Sequence, residues 1–224
     1  MSNLLHLDKL DADGAIRETA EAAGLDRNAF LRKSALAGGG LIAGGAFFTQ
    51  YLGTAEALIS KKRRSKTNDV KILNYALTLE FLEAAFYKQA VANKAYGSSA
   101  DLKTFAETVA RHEAKHVTFL KGALGSSAIK SPKFDFGDTV KDQAMFAATA
   151  QVLEDTGVNA YLGQAANILQ RPVLTAAGTI VTVEARHAAW IRFINKDVPA
   201  PADFDRGKSE GAILKAVGAT GFIK

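Results

Sequence analysis

The chain has no cysteine at all, so it can form neither a disulfide nor a thiolate metal site, and any metal it holds must be bound through oxygen and nitrogen. Only 4 of its 224 residues are proline and only 1 is tryptophan. Alternating apolar and polar residues of the kind that build half-buried strands are almost missing. What replaces them is a set of long alanine-, leucine- and valine-rich stretches with helical spacing, so the chain reads as all-α. With 48% apolar residues it can bury one substantial core, and one main domain is expected. The formal charge of +5 comes largely from one run, Lys61, Lys62, Arg63, Arg64 and Lys66. Nothing near it stacks on bases, so it reads as a solvated linker and no nucleic-acid partner is expected.

The N-terminal quarter differs from the rest. A basic flank, Arg27 to Lys33, precedes a glycine-diluted apolar run through Leu41, Ile42, Phe47, Phe48 and Leu52. The run ends at Ala55-Glu56-Ala57, a small-x-small pattern of the kind signal peptidases accept. Residues 1–57 are therefore expected to carry an export signal. Phe30-Leu31 after an arginine is similar to the twin-arginine motif, although Asn28 stands where the second arginine belongs. The expected location is periplasmic or exported. An uncleaved N-terminal anchor in contact with the membrane is the alternative. Residues 58–67 form the basic linker, 68–196 the helical domain, and 197–224 a tail whose Leu214, Val217 and Phe222 are expected to pack on it.

Four apolar stripes with a period of three or four residues predict four helices. The first joins Leu73, Leu77, Glu80, Ala84 and Tyr87. In the second, Leu102, Phe105, Val109, Glu113, His116 and Leu120 share a face. A connection punctuated by Gly122, Gly125, Pro132 and Gly137 is long enough to cross the length of a bundle. The third stripe runs through Val140, Ala144, Ala147, Glu154, Val158, Tyr161 and Ala165, and the fourth through Leu174, Ala177, Val181, Glu184, His187, Ile191 and Ile194. The fold class is a four-helix bundle with a long crossover between its second and third helices.

Each stripe carries a glutamate where an apolar residue would be expected. Glu113 with His116, and Glu184 with His187, stand at i and i+3, which points a carboxylate and an imidazole at one place. Ten glutamates and four histidines scattered at random would give about 0.2 such pairs, so two are uncommon. Each pair follows, by about 30 residues, a lone stripe glutamate, Glu80 or Glu154. Seven residues after each lone glutamate stands a tyrosine, Tyr87 or Tyr161, so the pattern Glu, Tyr, Glu-x-x-His occurs twice. Burying four carboxylates with no lysine or arginine on the same faces would cost many kcal/mol, and two divalent cations would remove that cost. The four carboxylates and two imidazoles form a hard, oxygen-rich set suited to iron, or alternatively manganese, ahead of copper or zinc. Tyr87 and Tyr161 are read as hydrogen-bond partners of ligating carboxylates. Glu83, Glu107 and Glu56 are expected to be exposed, Glu83 lying close enough to the stripe to serve as a reserve ligand. His112 is read as a surface residue or one that backs a ligand, and His6 falls outside the bundle.

The strings Glu113-Ala114-Lys115-His116 and Glu184-Ala185-Arg186-His187, with Glu80 and Glu154, resemble the ligand pattern of the ferritin-like superfamily. Within it, Leu77 to Tyr87 and Phe193 to Phe204 are similar to exported bacterial ferritin-like domain proteins, relatives of plant desiccation-associated proteins. The resemblance implies that Glu113 and Glu184 bridge two metals, that Glu80 and Glu154 cap them, and that His116 and His187 each bind one. It implies a redox function in stress, with ferrous iron, dioxygen or peroxide as substrate. A metal-stabilised structural or interaction protein without turnover is the other reading, and self-association is left open.

Overall fold

The computed structural model describes Ile59 and Arg64–Lys224, all within the unit that runs from Ala43 to the end of the chain. The export signal, half of the basic linker, Glu56 and His6 lie outside the described residues. Among these residues the structure is helical, with a single isolated β-bridge, Phe134 to Ile223. Four long helices are α1 (Lys66–Asn93), α2 (Ala100–Leu124), α3 (Gln143–Ala165) and α4 (Arg171–Ile194), and a short one, α5 (Glu210–Thr220), closes the chain.

The helix starts follow from side chains that accept otherwise unpaired backbone N–H groups. Ser65 accepts from Asn68 N, Ser99 from Leu102 N, Asp142 from Met145 N and Ser209 from Ala212 N. Helix α4 instead begins with Pro172 in its first turn, where a missing N–H costs nothing.

Hydrogen bonds between distant residues fix the topology. Asp69, fully buried near the start of α1, accepts from Leu169 N and Gln170 N, both at 2.9 Å, in the turn between α3 and α4. At the other end of α1, Asn93 Nδ2 donates to Val140 O at 3.0 Å, just before α3. The start of α1 therefore lies by the end of α3 and its end by the start of α3, so the two are antiparallel. Asn74 donates to Ser127 O at 2.9 Å and accepts from Ile129 N at 3.0 Å. The segment after α2 thus begins beside Asn74 and reaches α3 beside Asn93. Nineteen helical residues separate those two asparagines, about 28 Å at 1.5 Å per residue. That segment is the crossover expected from its length.

Some stripe positions differ from expectation. Val140 is buried, but in a 3₁₀ turn (Gly137–Val140) before α3, because Asp142 caps the helix two residues later. Ala144 and Leu174 are exposed, since each lies in the first turn of its helix, beyond the packed middle. Phe146, Ala150 and Leu153 supply the apolar face of α3 instead.

The tail forms a helix. Val217 is buried and Leu214 and Phe222 pack partly against the core. On the way, the backbone at Gly207 and Lys208 passes so close to α3 that a Cβ on Gly163 would meet Lys208 O at 1.8 Å. Only glycine permits that approach. Among the described residues no helix is long and apolar enough to cross a membrane.

Candidate metal centre

Helix packing brings the four stripe glutamates to the middle of the bundle. Glu80, Glu113, Glu154 and Glu184 are each 0% exposed, and His187 is 2% exposed. Two groups of potential ligand atoms converge there: Glu80, Glu113, His116 and Glu184 in one, Glu113, Glu154, Glu184 and His187 in the other. In each group the atoms lie within 4.8 Å of one another, and Glu113 and Glu184 belong to both. The six residues singled out in the sequence are therefore the six that the fold assembles.

Both imidazoles turn Nδ1 inward. His116 Nδ1 is 3.1 Å from Glu113 Oε2, 3.1 Å from Glu184 Oε1 and 3.2 Å from Glu80 Oε2. His187 Nδ1 is 3.2 Å from Glu113 Oε1, 3.2 Å from Glu154 Oε2 and 4.0 Å from Glu184 Oε2. One N–H cannot aim at three oxygens, and the result is a deficit of donors. Glu113 Oε1 and both oxygens of Glu184 are buried with no hydrogen-bond partner among the described residues.

The electrostatics record the same shortage of positive charge. Burial pushes Glu80 up to about 8 against the pull of His116, and drives Glu184 well above the carboxylate range, with Glu113 adding to the effect. Glu154 is raised by burial as well. Glu113 alone goes down, to about 2, because the two imidazoles beside it, His116 and His187, outweigh its burial. The imidazoles rise in compensation despite burial, His116 to about 12 through Glu113, Glu184 and Glu80, and His187 to about 10 through Glu113 and Glu154. Each imidazole thus keeps its proton among the carboxylates.

The tyrosines are placed with a crossed logic. Tyr87 donates to Glu154 Oε1, and Tyr161 to Glu80 Oε1 at 2.5 Å, so each tyrosine supports the lone glutamate of the other half. Antiparallel packing explains this. Seven residues carry each tyrosine about 10 Å along its own helix, which in an antiparallel neighbour is the level of the opposite glutamate. Burial and the adjacent carboxylates hold both phenols well above their ordinary range, so they stay protonated donors.

A repeated pattern, two ligand sets sharing two carboxylates, and a crossover of this kind point to one family. A profile of the ferritin-like domain matches residues 68–197. The chain belongs to the ferritin-like family. No curated protein matches it. The fold of this ferritin-like protein and its buried acidic and histidine cluster are compatible with a two-metal site.

Two more residues lie near the centre, one of them against expectation. Glu83 was expected to be exposed but is 3% exposed, because α1 turns it toward α3 and the other carboxylates. Burial and then Glu184 raise it well above its ordinary range. His112, half-buried, places Nδ1 2.8 Å from His187 Nε2 with the rings stacked at 19°. It backs the nitrogen that His187 turns away from the cluster. Its spacing of four residues from His116, on the same helix face, was the available signal. Glu107 lies toward solvent and pairs with Lys103 at 3.9 Å, as expected of an outward-facing glutamate.

Proposed function

We propose that this ferritin-like protein holds two metal ions, iron in preference to manganese, and is an oxidoreductase acting on ferrous iron, dioxygen or peroxide. The observation that carries the reading is the surplus of carboxylate at the centre: four fully buried glutamates converge on two imidazoles, and Glu113 Oε1 and both Glu184 oxygens receive no well-aligned hydrogen bond. A buried carboxylate with nothing to neutralise it is among the costliest arrangements in a protein interior. Among the described residues no lysine or arginine pairs with these glutamates, the one buried arginine, Arg192, being committed to Asp155 and Asp197.

In this reading Glu80, Glu113, His116 and Glu184 would hold one metal, and Glu113, Glu154, Glu184 and His187 would hold the other. When bound there, two ferrous ions would supply the pair of electrons that reduces dioxygen or peroxide. The chain's own residues do the rest. Tyr87 and Tyr161 hold Glu154 and Glu80 in fixed rotamers by hydrogen bonding. Phe86, Phe105 and Phe146, each 0% exposed and in ring contact with Tyr87 or one another, keep bulk water from the Glu154 side. His116, whose side chain is 12% exposed, is the ligand nearest solvent and marks the side by which small solutes reach the centre. Since the chain has no cysteine, it carries no iron–sulfur module of its own, and any electron donor is another molecule.

Metal analysis of the purified protein, followed by timed addition of ferrous iron with oxygen, or of peroxide, tests the proposal. Two irons per chain and turnover of either substrate support it. Failure to bind metal after anaerobic reconstitution, with a fold equally stable without it, overturns it, and tight binding without turnover leaves a structural role for the metals.

A further inference from the structure

The two halves of the chain repeat Glu, Tyr, Glu-x-x-His, yet the centre between them is not symmetric. Glu83 stands three residues after Glu80 on α1, and the matching residue on α3, three after Glu154, is Gly157. The tyrosine bonds from Tyr87 to Glu154 and from Tyr161 to Glu80 fix the antiparallel register of these helices. In that register Glu83 and Gly157 face each other midway between the two lone glutamates. There is room for one side chain. A Cβ on Gly157 would lie 3.3 Å from Glu83 Oε1 and 3.2 Å from Glu184 Oε2, so the Glu83 and Glu184 carboxylates converge over the space the glycine leaves.

Glu83 is 3% exposed, and its carboxylate lies in the buried middle of the bundle beside that of Glu184. Its neighbours are other carboxylates, Glu184 foremost. A packing role alone does not account for a glutamate here, because glutamine or leucine would fill the same volume without burying an acid. The bound form needs something positive at this place.

We propose that Glu83 is a seventh ligand of the two-metal centre, contributed by α1 alone and admitted by Gly157, and that it makes the two metal positions unequal in affinity. The inference rests on the two-metal reading given above. Its chemistry is that of a hard divalent cation, drawn toward the Glu83–Glu184 side of the shared carboxylates.

The test is anaerobic titration of the full-length, metal-free protein with cobalt(II), whose visible absorption reports ligand number and whose oxidation state does not change. Wild type is expected to take up two cobalt ions in two resolved steps. Glu83→Gln and Glu83→Ala are expected to keep two ions per chain but weaken one step by about tenfold or more, with a changed spectrum for that ion. Gly157→Ala should weaken the same step by crowding both carboxylates, and adding it to Glu83→Ala should cost less than it does alone, because the alanine then occupies vacated space. Thermal melting of the metal-free proteins separates ligation from folding. Both Glu83 variants should melt no lower than wild type, since each removes an uncompensated buried acid.

If wild type binds two cobalt ions and both Glu83 variants reproduce its isotherm and spectrum, this inference fails while the two-metal reading stands. If wild type binds none, both fail. A metal-free melting temperature that falls in Glu83→Gln would make Glu83 a structural hydrogen-bonding residue and overturn the assignment.

Discussion

Helices α1 and α2 on one side, and α3 and α4 on the other, carry the same chemistry on nearly the same spacing, but their surroundings differ. On the first side stands Glu83, on the second Gly157. Behind His187 lies His112, half-buried and 2.8 Å away, whereas the residue at the matching place before Glu184 is Val183, which offers no polar atom. The shared residues, Glu113 and Glu184, belong equally to both sides. A bundle of this kind can thus keep a symmetric ligand set while making the two positions chemically distinct through residues one shell further out or one turn away.

Removing a shared ligand should have the largest effect. Glu184→Ala is expected to reduce bound metal to one ion per chain or fewer, measured by elemental analysis, while the metal-free protein melts at the same temperature or higher because a buried carboxylate crowded by other carboxylates is gone. A metal-free protein that melts markedly lower would mean that Glu184 is tied into the fold by something other than cations.

Next comes the dependence of metal-free stability on pH. Glu80, raised from 4.5 to about 8, and His116 and His187, raised from 6.5 to about 12 and about 10, all bind protons more tightly folded than unfolded. Stability from Glu80 is full below 4.5 and is lost by about 8; that from the histidines is full below 6.5 and is lost as the pH rises through 10 to 12. Glu113, lowered to about 2, acts oppositely and only in acid, its contribution being lost as the pH falls from 4.5 toward 2. The metal-free protein should therefore melt highest near pH 5 to 6 and progressively lower by pH 8 to 9. Bound metal should reverse that slope, because cations compete with the same protons. Melting curves with and without metal across this range decide it.

A smaller effect is expected from Tyr87→Phe and Tyr161→Phe, each of which removes one hydrogen bond to a lone glutamate. Both should weaken metal binding by about tenfold, and by similar amounts if the two halves are equivalent at this level. Unequal losses would show that asymmetry extends to Glu80 and Glu154. The smallest effect should follow His112→Ala, a half-buried position. It should lower affinity only for the ion on the His187 side, leaving the other step of a cobalt titration in place. Equal weakening of both steps would remove His112 from the comparison.

The legibility of the centre varied with its cause. The six residues could be read from the sequence because helical periodicity and burial are local: a glutamate on an otherwise apolar stripe declares itself without knowledge of the partner helix. The crossover was legible from its length and its glycines. The pairing of each tyrosine with the opposite glutamate was not, because it depends on the antiparallel register of α1 against α3. Glu83 was misjudged for a related reason. It lies beside the stripe, and whether that edge of α1 meets solvent or another helix is settled by how closely α3 approaches, which Gly157 permits. Val140, Ala144 and Leu174 failed at helix ends, where capping sets the boundary and the periodic pattern runs past it.

By itself, then, the amino-acid order determined an all-helical chain, four stripes, and a doubled set of carboxylates and imidazoles without cysteine, since these depend on residue type and on spacing along one helix. Only the tertiary structure decided which phenol supports which glutamate, and that a fifth glutamate is buried beside the set. Those outcomes come from the distance and register between helices. Side chains from four helices fix that geometry jointly, and no single segment encodes it.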